Sequence, residues 1–346
     1  MSAAPVVAVV GAGLAGLSCA RRLAEAGLSV RVFDKSRGVG GRMATRRLAW
    51  TGVDGLAREA AADHGVPAFE AAHPDFALAV RHAAAAGWVR PWAPREPGTG
   101  AVAPQWVGAP AMKAWCAALA EGLEVALSHT VTALQTTDDG WALQGADGLL
   151  AQGLSAVVLA LPPAQAAALL QPHRPGWAAE LAAWPMQACW AWMGVSLAPA
   201  PDWDQARPAQ GRLARLVRQA SLPGRSVPPG REVWVAHATP AWSAQHLEQP
   251  ADALEARLRE AVSAQLGLGP EAWEAGWAHR WRYARPVPPP LAPASRGRWD
   301  PRTRLGLCGD YLAGDGVEGA WLSGRALADM MLETGVTAPA LMAGEA

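Results

Sequence analysis

The sequence predicts an α/β fold in which a parallel sheet is interrupted by an α+β domain built on a mixed or antiparallel sheet. Three observations carry this. Residues 5–34 alternate strand, glycine turn, helix and strand. Short buried strands return far downstream, at Ala156–Leu161 and Arg304–Leu307. Between them, residues 164–300 form a separate block rich in Pro that holds 11 of the 18 tryptophans. A chain of 346 residues exceeds one hydrophobic core, so two domains are expected.

Val6–Val10 is the first strand, and Gly11, Gly13 and Gly16 follow it as G-x-G-x-x-G. Gly11 permits the tight turn, Gly13 lets backbone approach a pyrophosphate, and Gly16 lets the helix pack on the strand. The helix from Leu14 to Ala26, with Leu14 and Ala15 in its first turn, points its N-terminus at the phosphates. Gly27 closes it and Val30–Phe33 returns. Asp34 then stands where a carboxylate accepts both hydroxyls of an adenosine ribose and repels a 2′-phosphate, an argument softened by Lys35 and Arg37. Gly38-Val39-Gly40-Gly41-Arg42, followed by Met43, forms a second phosphate-approaching loop. A plain NAD domain has no need of it, whereas a flavin runs its pyrophosphate and ribitol past a second backbone segment, so the cofactor read here is FAD. Arg42 can pair with a phosphate bidentately, although Arg42, Arg46 and Arg47 also suit an ordinary solvated face.

From there to residue 70 the chain reads as alanine-rich and irregular. Pro74–Ala86 reads as a helix closed by Gly87, residues 90–104 as a loop or hairpin, and Pro110–Leu119 as a helix. Val125–Leu127 and Val131–Leu134 read as strands, with Val131 placed at the cofactor. Trp141–Leu143 and Leu149–Leu150 continue a small meander. Further strands are read at Cys189–Leu197 and Glu232–Ala238, and a helix over Ala251–Leu266. After Leu307, Gly309 gives close approach and Asp310 accepts from a ribitol hydroxyl. Glu318, Gly319 and Ala320 open the last helix, whose N–H groups can face the pyrimidine edge of a flavin. Residues 1–70, 105–165 and 300–335 are thus assigned to the FAD-binding domain and 71–104 and 166–299 to a substrate domain. Residues 336–346 are expected to be a flexible tail.

The formal net charge is zero, which favours neither nucleic acid nor an anionic membrane as partner. No apolar stretch is long enough to span a bilayer, and no signal peptide fits, so a cytoplasmic location is expected. Cys19, Cys116, Cys189 and Cys308 are widely spaced and read as buried reduced thiols. The eight His are scattered and suggest no metal. Gly-x-Ser-x-Gly does not occur. The chain has two lysines against 28 arginines, so any role that needs Lys must fall to Lys35 or Lys113 or be filled otherwise. Candidate groups for orienting a substrate ring are His64, in Asp63-His64-Gly65, His237, in a strand-like run, and Trp281 and Tyr283, in His279-Arg280-Trp281-Arg282-Tyr283-Ala284. Each also reads as ordinary packing.

Six segments together resemble the bacterial renalase-like flavoproteins, relatives of the flavin amine oxidases. They are GAGLAGLSCARRL, DKSRGVGGRMATRR, Asp63-His64-Gly65, WVAHATPAWSAQHLE, HRWRYARP and LCGDYLAGDGVEGAWLSG. The resemblance spans nearly the whole chain, and the last two segments are the more specific. It implies noncovalent FAD and a p-hydroxybenzoate-hydroxylase-type architecture. It also implies oxidation of 2- and 6-dihydro isomers of NAD and NADP, with O2 as acceptor. Two departures bear on the substrate. Family members read D-H-G-A-Q-Y-F where this chain has Asp63-His64-Gly65-Val66-Pro67-Ala68-Phe69, and LARLVRQASLPGR replaces an expected Asn-containing segment. The alternatives are an amine oxidase or desaturase acting on an apolar substrate, and a flavin-binding module without turnover. Many flavin amine oxidases place a lysine near flavin N5; neither Lys35 nor Lys113 is expected there. A monomer is expected.

Overall fold

The computed structural model describes residues 5–98, 100–287, 295–314 and 316–336. The chain divides into two compact units, each discontinuous. Unit 1 comprises residues 1–41, 116–185 and 286–346, and unit 2 residues 42–115 and 186–285.

Unit 1 is built on a six-stranded sheet in the order Arg298–Asp300, Leu305–Leu307, Ala156–Leu159, Val6–Val10, Ser29–Asp34, Glu124–Leu127. All pairs are parallel except the first, which is antiparallel. The central strand is buried at Val7, Ala8, Val9 and Val10, as expected for a strand with both faces covered. Val6 pairs with Ser29 and Val10 with Phe33, so the glycine turn and Asp34 emerge at the same sheet edge. Glu124–Leu127 joins this parallel sheet, and the separate meander is Ala133–Thr137, Gly140–Gly145 and Gly148–Leu154. Val131 lies before that meander's first strand, half-buried against the unit 1 core. Two helices that follow the strand Ala156–Leu159, Pro163–Leu170 and Pro175–Ala182, each begin with proline at a first-turn position, where no N–H is needed. Residues 337–346 of the expected tail lie outside the described residues, and Val336 is buried.

Unit 2 is built on a five-stranded sheet in the order Gln205–Ala206, Leu213–Arg218, Glu232–Ala238, Met186–Ser196, Trp273–Pro286. Alternation along the strands gives it two apolar faces. On one, Trp190, Trp192, Leu216, Trp234 and Ala236 pack on Leu254, Leu258 and Val262 of the helix Ala251–Leu266. On the other, Met193, Val195, Val233 and Val235 pack on Leu48, Trp50, Ala60 and Ala62, joined by Ala275 and Trp277.

That last contact corrects the expectation of an irregular segment before residue 70. Residues Arg46–Thr51 and Ala57–Ala62 form an antiparallel hairpin whose alternate residues enter the unit 2 core. The chain therefore leaves unit 1 after Gly41, not near residue 70. It re-enters at Cys116, stays through the two proline-started helices to Pro185, and returns at Pro286. Small alanines, and an arginine at position 46 on the face that carries Leu48 and Trp50, hide the hairpin's alternation in the sequence.

Candidate functional sites in the two units

In unit 1 the two glycine loops form one backbone structure. Gly11 has φ +114°, and a Cβ there would sit 2.4 Å from the carbonyl oxygen of Ala160. Its N–H donates to the Phe33 carbonyl at 2.8 Å, tying the turn to the second strand. A Cβ on Gly16 would lie 2.0 Å from the Gly11 oxygen, so the helix presses directly on the turn. The second loop docks on the first. Gly40 N–H donates to the Ala12 carbonyl at 2.8 Å, and Gly41, at φ +53°, would bring a Cβ within 3.2 Å of the Gly13 Cα. Leu14 and Ala15 are buried in the first turn of the helix Leu14–Glu25.

Asp34 accepts the Ala12 N–H on Oδ2 and the Ser36 N–H on Oδ1, both at 2.7 Å. A carboxylate oxygen can accept two hydrogen bonds and each of these accepts one here, so the pinned group keeps acceptor capacity for hydroxyls. Lys35, next to it, is exposed.

The other chain end completes this unit. Gly309 N–H donates to Ser323 Oγ at 2.9 Å, and Asp310, buried, starts the short helix Asp310–Ala313. The last helix, Gly316–Thr334, passes so close to the first that a Cβ on Gly324 would lie 2.1 Å from the Ala15 oxygen. A Cβ on Gly319 would lie 1.5 Å from the Gly314 oxygen. Glu318 and Ala320 flank Gly319 in that first turn, half-buried. Unit 1 thus gathers the glycine loops, Asp34, Gly309, Asp310 and residues 318–320 into one body. At Gly11 and Gly16 a Cβ would strike backbone, whereas at Gly13 only the Gly41 Cα lies within 4 Å, a bare turn that fits an extended dinucleotide held by backbone groups.

Arg42 and Met43 fall in unit 2. Arg42 Nη1 donates to the Ala284 carbonyl at 3.1 Å, and Met43 is buried. The Arg42 carbonyl accepts from Val66 N–H at 2.9 Å. A Cβ on Gly65 would lie 2.0 Å from that same oxygen and 3.2 Å from the Trp281 ring, which explains a glycine after His64.

His64, His237 and Trp281, read separately in the sequence, come together in unit 2. The His64 carbonyl accepts from Trp281 Nε1–H at 3.0 Å and lies 3.1 Å from His237 Nε2. The His64 ring lies 4.7 Å from the ring of His279 and 5.0 Å from that of Trp281. The rings of His279 and Trp281 are 4.6 Å apart. Tyr283 stands two residues beyond Trp281 on the same strand, half-buried. His279 belongs to the block noted in the sequence but was not chosen from it. Its two-residue spacing from Trp281, which puts both on one strand face, was the available signal.

Burial is the main reason the three histidines titrate low. It pushes His64 to about 3, helped by His279, Arg46 and His237, and the buried Nδ1 of that ring has no hydrogen-bond partner among the described residues. Burial pushes His237 to about 4, and burial with Arg46 pushes His279 to about 4. At neutral pH all three rings are uncharged, poor general bases that can stack and orient.

Asp63 does other work. Its carboxylate takes the Arg225 guanidinium, the Thr45 hydroxyl and the Met112 N–H, while its own N–H donates to Gln219 Oε1. Arg225 and Asp63 side chains are 3% and 1% exposed, so this is an internal brace of unit 2. Burial pushes the Cys116 and Cys189 thiols up to about 12, which keeps them unreactive. Among the described residues no cluster of three or more His, Cys, Asp or Glu could hold a metal, and no helix is long and apolar enough to cross a membrane.

Comparison with known proteins finds likeness along nearly the whole chain. Residues 9–81 match the NAD(P)-binding Rossmann-like domain. The fold is shared with a proposed protoporphyrinogen oxidase from Exiguobacterium sp. 255-15, at 14% identity and TM-score 0.69, over 97% of this chain and 100% of that one. It is shared with cyclohexylamine oxidase from Brevibacterium oxydans IH-35A, at 15% identity and TM-score 0.58, over 96% and 99%. A redesigned putrescine oxidase triple mutant aligns at 16% identity and TM-score 0.58, over 96% and 100%. Residues 92–332 match the flavin containing amine oxidoreductase model, and the chain belongs to that family, as a flavin-dependent oxidoreductase.

Proposed function

We propose that the chain is a renalase-like oxidase that binds FAD noncovalently in unit 1 and seats a 2- or 6-dihydro isomer of NAD or NADP on the aromatic cluster of unit 2. Bound FAD would supply a hydride acceptor at N5 and a route for the electrons to O2, with NAD(P)+ and H2O2 as the products. The observation that carries the reading is the cluster of neutral rings His64, His279 and Trp281, with His237 beside it. A dihydronicotinamide becomes an aromatic pyridinium as hydride leaves, so no proton need be removed. The protein then has to position two flat rings and exclude water, which uncharged imidazole and indole faces do without a base. Neither lysine of the chain is buried.

The second reading is oxidation of an amine, favoured by the family itself and by the substrates named for two fold relatives. Anaerobic mixing decides between them. The proposal expects rapid bleaching of the flavin by 2- or 6-dihydronicotinamide nucleotides and little by ordinary 4-dihydro NADH or aliphatic amines. Bleaching by amines alone would reverse the assignment. Acid precipitation tests the cofactor linkage, and colour retained in the pellet would mean a covalent bond.

A further inference from the structure

The strand face that carries His237 also carries a cation, Arg215, that forms no ion pair among the described residues. Arg215 and His237 are register partners on adjacent antiparallel strands, so their side chains leave the same side of the sheet. Ala191 is the neighbour of His237 on its other side. The Arg215 guanidinium is held by uncharged acceptors. Nε and Nη2 donate to Gln205 Oε1 at 3.0 and 2.6 Å, and Nη2 also donates to Gln105 Oε1 at 3.1 Å. Glu96, the carboxylate closest in influence, is already engaged, by Gln205 Nε2 at 2.7 Å and by Arg207 at 3.6 Å. Arg215 forms no ion pair among the described residues, and burial together with Arg207 pulls it down to about 10. A second guanidinium, Arg46, bears on His64 and His279 and likewise has no ion pair among the described residues.

Desolvating a guanidinium without a counter-charge is costly unless something else supplies one. Elsewhere in this unit buried arginines are matched, as Arg225 is by Asp63 and Arg231 by Glu274. We propose that Arg215 is the receptor for a phosphate carried by the substrate, with the glutamines 105 and 205 fixing the direction of its free N–H groups. Resting on the donor assigned above, this deepens that reading: the enzyme selects a nucleotide over the bare nucleoside. A guanidinium fork suits this task better than an ammonium, because it meets phosphate oxygens in pairs.

The test is calorimetric titration of the oxidised holoenzyme with nicotinamide mononucleotide, nicotinamide riboside and nicotinate, for wild type, Arg215→Gln and Arg215→Lys. Flavin content and Tm are checked for each variant. Arg215→Gln should weaken mononucleotide binding by about 10- to 100-fold, the range for losing a charge-assisted contact, and leave riboside binding unchanged. Arg215→Lys should recover part of the loss. Equal weakening of both probes, or no weakening of either, overturns the proposal. So does an Arg215 dependence seen for nicotinate but not for the mononucleotide, which would make the seat one for a carboxylate. The two readings fail separately. Arg215-dependent binding of the mononucleotide without flavin reduction by any dihydronicotinamide keeps the phosphate seat and removes the donor assignment. Reduction by riboside and mononucleotide donors that Arg215→Gln slows equally, or not at all, does the reverse.

Discussion

Single residues in both units are fixed by space more than by polarity. Asp34 holds the first glycine turn through Ala12 N–H, so Asp34→Ala should lose that tie and, if Asp34 takes the ribose as proposed, that contact too. Weakening of FAD by about 1–3 kcal/mol is expected, read as flavin fluorescence released on dilution. Wild-type affinity in the variant would remove Asp34 from the cofactor site. Asp63→Asn tests the internal brace: it leaves the Arg225 guanidinium buried without its charge and should cost about 3–5 kcal/mol in denaturant unfolding. Gly11, Gly13, Gly16 and Asp34 were legible in the sequence because a strand–turn–helix motif is local: the steric demand and the residue that meets it lie within a few positions. Arg215, Gln105 and Gly65 were not, since what makes each informative is a neighbour about 20 to more than 200 residues away.

At the scale of elements, the sheet of unit 2 is clamped between a helix and a hairpin. Leu258 stands fully buried in the middle of the helix face that meets Trp190, Trp192 and Trp234. Leu258→Ala should destabilise unit 2 by about 2–5 kcal/mol, seen as a lowered urea midpoint with the slope unchanged. An unchanged midpoint would mean the helix is not part of the cooperative core. The helix Ala251–Leu266 was read with the observed bounds because its apolar spacing and the closing Gly267, at φ +65°, are intrinsic to it. The strand Glu232–Ala238 was equally clear, being apolar throughout its middle. The hairpin of residues 46–62 was missed because its buried face is made of Leu48, Trp50 and two alanines. Such a pattern resembles a strand only once the opposing sheet is known.

For the molecule as a whole, the three low-titrating histidines link stability to pH. Each binds a proton less readily folded than unfolded, so between about pH 6.5 and the folded values near 3 to 4 the unfolded chain holds more protons. Their contribution is complete above pH 6.5 and is lost as pH falls through that window. The ceiling is roughly 1.4 kcal/mol per pH unit for each histidine. Denaturation midpoints measured from pH 7 to 4 should fall, and replacing His237 with Gln should flatten the fall. A midpoint independent of pH over that range would show that the rings are solvated. A discontinuous fold was foreseeable, since Gly309 and Asp310 lie far in the chain from the N-terminal glycines whose unit they share. The sequence could not place the crossings at residues 41, 115, 185 and 285, because those depend on which sheet each segment finally covers.

The interleaving of the two units also fixes an order in time. As the ribosome extends the chain, the last strand of unit 2 is finished at Pro286, before the strand Leu305–Leu307 and the helix Gly316–Thr334 have been made. Unit 2 can close while its partner still lacks Gly309, Asp310 and the helix against which Ala15 packs. Synthesis therefore finishes the tryptophan-rich half first, and the half that carries the glycine turns is completed only by the last segments to leave the ribosome.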